Sequence, residues 1–82
     1  MLLDVVSVDV LENYELLITF ENGEVRKFDM TRFMDLKPYN RLKGLACFKC
    51  ARIEYGTIVW PGEIDISPEV LYDESVYVRQ SS

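Results

Sequence analysis

The 82-residue chain contains no histidine. That removes the side chain most often used as a general base and as a transition-metal ligand near neutral pH. Its two cysteines are too few for a disulfide framework, and no further cysteine or histidine exists to complete a tetrahedral zinc site. No apolar run approaches the roughly 20 residues that a spanning helix needs. The opening Met1-Leu2-Leu3-Asp4 has no basic n-region, so a secretory signal is not expected. Bases are outnumbered, nine against fourteen acids, for a net charge of −5. Such a chain has no global attraction to nucleic acid or to an anionic membrane. No Gly-rich phosphate loop is present, and no hydroxyl has a histidine to activate it. Catalysis, a cofactor and a bound metal are therefore not expected, and a cytoplasmic location follows by elimination.

What remains is a globular composition, 49% hydrophobic and 28% charged, in a length that suits one domain with a modest core. Val6, Val8 and Val10 alternate with polar residues as a half-buried strand does. Tyr14, Leu16, Ile18 and Phe20 repeat the pattern, and Asn22-Gly23 suggests a type I′ hairpin into Glu24 to Phe28. A two-residue loop there pairs Phe20 with Val25 but sends Phe28 to the opposite face. Partial cover of both faces of the sheet is the preferred resolution. Asp29 is a good N-cap for a short helix carrying Met30, Phe33 and Met34, limited by Pro38. Tyr39 and Leu42 suggest another helical turn closed by Gly44. Phe48 to Glu54 reads as a fourth strand, Thr57 to Trp60 as a fifth, and Ile64 to Ile66 as a short extended piece. Ser67-Pro68-Glu69 opens a last helical turn with a hydroxyl cap, proline in the first position and an acid in the first turn. Trp60, before Pro61, reads as a core anchor. The expectation is an α+β domain over residues 1–78, an antiparallel meander of about five strands with short helices packed on it. Residues 79–82 are expected to form a frayed tail.

Two patterns invite a chemical reading. Cys47-Phe48-Lys49-Cys50 is a C-x-x-C motif, but its second cysteine falls in the expected strand and no βαβ unit surrounds it. Two small apolar side chains at a loop–strand junction are the preferred reading. The second pattern is charge segregation. Residues 26–52 carry eight bases and two acids, a balance of +6, which leaves −11 on the remainder. Between Lys37 and Arg52 no acid occurs at all. Lys37, Arg41, Lys43, Lys49 and Arg52 are thus candidates for docking a partner. Tyr39 and Phe48 lie among them, as in segments that stack single-stranded nucleic acid. The acids Glu63, Asp65, Glu69, Asp73 and Glu74 lack the density of a calcium loop.

The run Leu16-x-Ile18-x-Phe20-x-Asn22-Gly23-x-Val25, then Phe48-x-x-Ala51-x-Ile53, leads into a more specific closing segment. That segment is Gly56-Thr57-Ile58-Val59-Trp60-Pro61-Gly62-x-x-Asp65-Ile66-x-Pro68-Glu69-x-Leu71-Tyr72. From about Val5 to Tyr72 the chain resembles a small bacterial family catalogued as domain of unknown function 2442. The resemblance implies a short α+β domain without an assigned reaction. Some relatives sit beside a second small protein in arrangements like toxin–antitoxin pairs. No catalytic residue is carried over, and the C-x-x-C motif is not part of the family pattern. The functional expectation is a non-catalytic protein-interaction module, antitoxin-like or regulatory, with a protein partner and a homo-oligomer as the further assembly considered. The alternative is a small nucleic-acid-binding regulatory domain using segment 37–52.

Overall fold

The computed structural model describes residues 3–81. Among the described residues, seven antiparallel strands form two sheets, and the helices between them are short, so the protein is an α+β domain. The first meander is β1 (Val5–Val10), β2 (Glu15–Phe20) and β3 (Glu24–Asp29); the second is β4 (Arg52–Glu54), β5 (Thr57–Trp60) and β6 (Ile64–Ile66). The final strand, β7 (Val76–Gln80), returns to pair with β3, so the larger sheet runs β1-β2-β3-β7. No helix among the described residues is long and apolar enough to cross a membrane.

Period-two patterning places Leu16, Ile18 and Phe20 on one fully buried face of β2. The hairpin that follows differs from the expected type I′ turn. Its loop is three residues long, Glu21 to Gly23, and Leu16 faces Phe28 while Thr19 faces Val25. Only Gly23 takes a positive φ, 86°. Asn22 contributes its side chain instead, its Oδ1 accepting from the Glu24 N–H at 3.0 Å. The extra loop residue brings Phe28 to the core face, which removes the conflict in the two-residue register. Val25, on the opposite face, is also buried and lies outside the main core cluster. Cover on both faces is thus local to that residue.

Asp29 caps a 3₁₀ turn over Met30–Phe33, its Oδ1 accepting from the Thr31 N–H at 3.0 Å. A second 3₁₀ segment spans Tyr39–Lys43. Helix α1 (Leu45–Phe48) then occupies residues expected at the loop–strand junction, and only Arg52–Glu54 of the expected fourth strand is extended. The reason lies in Trp60. Its indole Nε1–H donates to the Phe48 carbonyl at 2.9 Å, and the two rings stack at 6.0 Å. Both side chains are wholly buried, so Phe48 is drawn into the core from a helical turn rather than from a strand. The C-x-x-C motif therefore straddles the end of α1. Cys47 is half-buried, and the Cys50 thiol is exposed and donates to the Ala46 carbonyl at 3.3 Å.

The β4–β5 turn has Tyr55 and Gly56 at φ 53° and 75°. The positive φ of Gly56 and the Asp4 carboxylate, 2.6 Å from where a Cβ would stand, together favour glycine there. The Gly56 carbonyl accepts from the Val5 N–H at 2.8 Å, which joins the two sheets. Helix α2 (Pro68–Asp73) starts as its sequence indicates, with Ser67 Oγ accepting from the Glu69 N–H at 3.1 Å. The C-terminal segment departs from the expected tail: Arg79 and Gln80 belong to β7 and pair with Val25 and Glu24.

Candidate docking surface

The five basic candidates are all exposed, and the fold distributes them along one continuous run of short elements. Lys37 precedes the Tyr39–Lys43 turn, Arg41 and Lys43 lie on it, Lys49 follows α1, and Arg52 opens β4. Their heads are not equivalent. Arg52 is paired with Glu54 and so adds little net charge. Lys43 meets Asp35 at 3.3 Å, a fully solvated pair that leaves the lysine free to exchange partners. Arg41 donates to the neutral Gly62 carbonyl at 2.9 Å, which positions the guanidinium without cancelling its charge. A basic ridge of Lys37, Arg41, Lys43 and Lys49 results.

Of the ridge residues, Lys49 enters the lining of a groove of about 350 Å³, together with Val10, Leu11, Glu12, Asn13 and Leu45. One wall is the β1–β2 turn, where Asn13 and Tyr14 take φ of 61° and 60°. Tyr14 locks that turn against the ridge. Its hydroxyl donates to the Lys43 carbonyl, and its ring meets the Phe48 ring edge-on at 5.1 Å. The other wall is α1, from which Leu45 remains 48% exposed. A lining that mixes the apolar Val10, Leu11 and Leu45 with the polar Glu12, Asn13 and Lys49 suits an apolar side chain carried by a polar segment. Leu11 and Leu45 escaped the sequence reading, because Leu11 ends the first strand's alternation and Leu45 opens a short apolar run with no period of its own.

The aromatics set among the basic residues are engaged elsewhere. Phe48 is wholly buried, and the Tyr39 hydroxyl donates to the Asp65 carbonyl at 3.0 Å. Burial and the neighbouring Asp65 push the Tyr39 hydroxyl above its ordinary pKa. No grouping of three or more Cys, Asp or Glu side chains fit to hold a metal occurs among the described residues.

A second polar cluster lies where β3, α2 and β7 meet. Arg26 donates to Glu24 Oε1 at 2.7 Å, to Ser75 Oγ at 2.7 Å and to the Ser75 carbonyl at 3.1 Å. Its guanidinium also lies 4.3 Å from the centre of the Tyr72 ring. The Tyr72 hydroxyl donates to Glu24 Oε2 at 2.6 Å. That hydrogen bond, ahead of those from Arg26 and Asn22, holds the Glu24 carboxyl below the ordinary 4.5, against an opposing push from burial. The same bond raises Tyr72 above 10.0. Every hydrogen-bonding group of this clip has a partner inside the fold, so its role is to hold three elements together.

The family model described as "Protein of unknown function (DUF2442)" matches residues 5–77. The chain belongs to that family. The match begins with the first residue of β1 and ends on the second residue of β7, so it covers six strands and the start of the seventh, the ridge and the clip. No curated protein and no solved structure matches the chain.

Proposed function

We propose that this DUF2442 protein is a non-catalytic protein-interaction module, the antitoxin-like or regulatory half of a two-gene pair. Its basic ridge and the adjoining groove would receive an acidic segment of the partner protein. The observation that carries this reading is Leu45, half-exposed on the groove wall between Lys43 and Lys49. An exposed apolar side chain that shares its groove with Lys49 supplies both parts of a small interface: a contact to desolvate and a charge to steer the encounter. A nucleic-acid role for segment 37–52 is the weaker reading, since Phe48 and Tyr39 are committed inside the fold.

The test is calorimetric titration of the protein with the purified product of the neighbouring gene. Leu45→Asp should abolish binding while the fold, followed by circular dichroism, is retained. Unchanged affinity in Leu45→Asp would rule this surface out. Tight, steeply salt-dependent binding of single-stranded RNA or DNA would favour the other reading.

A further inference from the structure

We propose that Cys47 and Cys50 form a dithiol site that exchanges with low-molecular-weight disulfides and closes reversibly into a Cys47–Cys50 disulfide. Two inert apolar side chains, the reading the sequence favours, would both lie in the core. Cys47 does pack against it, but Cys50 is exposed just past the end of α1. Free cysteine is among the most buried residue types, so packing gives no account of Cys50.

The backbone brings the two thiols together. The Cys50 N–H donates to the Cys47 carbonyl and the Lys49 N–H to the Leu45 carbonyl, each at 3.0 Å, with Lys49 at φ −68° and ψ −10°. Cys47 and Cys50 are thus the first and fourth residues of a hydrogen-bonded helical turn. Helical geometry sets such Cα atoms about 5 Å apart, inside the roughly 4.4–6.8 Å that a disulfide spans. The Cys50 thiol, bound to the Ala46 carbonyl at 3.3 Å, turns toward Cys47 by rotation about its Cα–Cβ bond.

Exposure orders the steps. Cys50 attacks one sulfur of the small disulfide, breaks its S–S bond and releases one thiol. Cys47, shielded from that encounter, then attacks the Cys50 sulfur of the mixed disulfide and releases the second thiol. One S–S bond forms for the one broken. The two cysteines are oxidised, the small disulfide is reduced, and the two cysteine protons leave on the released thiols. The surrounding charge favours an anionic disulfide such as oxidised glutathione: Lys49 stands between the cysteines, and no acid occurs from Lys37 to Arg52. Closure staples the last turn of the helix that carries Leu45, on one wall of the groove.

The full chain is incubated with oxidised glutathione, quenched with acid and weighed by mass spectrometry, with alkylation counting the remaining thiols. The wild-type protein should lose the mass of two hydrogens, keep no free thiol and recover both on reduction. Cys47→Ala, which keeps a small apolar side chain at the half-buried position, should retain one glutathione on Cys50. Cys50→Ser, at the exposed position, should react at least about tenfold more slowly. In the oxidised wild-type protein, amide exchange at Cys50 and Ala51 should slow, a readout that needs no variant. Two thiols that remain open to alkylation in excess oxidised glutathione would overturn the proposal. So would a lasting glutathione adduct on the wild-type protein, or a disulfide that links two copies instead of closing within one.

Discussion

The arginine at the clip and the cations on the ridge are the same kind of charge put to opposite uses. Arg26 is half-buried, with its guanidinium bound on Glu24 and Ser75 and its face against Tyr72. Lys37, Arg41, Lys43 and Lys49 are exposed and hold at most one weak contact each through their side chains. A half-buried charge held by several hydrogen bonds is strongly destabilising to disturb. A solvated charge contributes almost nothing to stability and keeps its field for a partner. Position relative to the core, not residue type, separates the two.

The frame under the ridge should show the largest effect. Trp60→Ala removes the side chain that holds Phe48, and it should lower unfolding stability by about 3–5 kcal/mol in a denaturant titration. Because α1 rests on that contact, the groove should loosen in the same variant, seen as faster amide exchange at Leu45–Lys49. At the clip, Arg26→Leu should reduce stability by about 2 kcal/mol, leaving Glu24 and Ser75 without their partner. Exchange at β7 amides should accelerate in Arg26→Leu, while exchange at α1 stays unchanged.

Acid should separate the regions next. Glu24 has its folded pKa below the ordinary 4.5, so the stabilisation it confers is complete above that value and disappears as pH falls through the lower folded one. Tyr72 behaves in the opposite sense. Its folded pKa is raised above 10.0, so its contribution is complete below pH 10 and is lost as pH rises through the folded value. Glu24→Gln should flatten the acid limb of a stability–pH curve; an unchanged limb would place the acid sensitivity elsewhere. The smallest effect on folding should come from the ridge. Replacing Lys37, Arg41 and Lys43 together by glutamine should change stability by less than about 1 kcal/mol. If the ridge docks a partner, the same triple change should slow association, with a loss that shrinks as salt rises.

Much of the fold was legible because it rests on local chemistry. The alternation in Leu16, Ile18 and Phe20, the Asp29 and Ser67 caps, and Trp60 beside Pro61 each describe their surroundings within a few residues, and each is found where its pattern points. The three-residue hairpin loop was not legible. Asn22-Gly23 fits two loop lengths, and the choice was made by burying Phe28 opposite Leu16, a contact twelve residues back along the chain. Helix α1 was hidden for a similar reason, since Phe48 flanked by cysteines carries no helical period and takes its place from Trp60. At the candidate surface the exposed cations could be read from the acid-free stretch, but not the neutralisation of Arg52 by Glu54 nor the groove beside Lys49.

The amino-acid sequence alone determined the antiparallel α+β class, the caps, the buried face of β2 and the segregation of charge, but not β1, where a register shift between Val5 and Ser7 buries Val5 and leaves Val6 exposed. These follow from side-chain periodicity, backbone propensity and composition, which act over a turn or a strand. Tertiary structure alone decided that Arg26 is a clip while Lys49 is a rim. It also decided that Tyr14 ties its turn to the Lys43 carbonyl and that Arg79 and Gln80 complete an edge strand instead of fraying. Those outcomes depend on contacts between residues far apart in sequence, such as Arg26 with Ser75 and Tyr14 with the Lys43 carbonyl. Burial is a property of the closed core, and a short polar segment contains no record of which side of it will face inward.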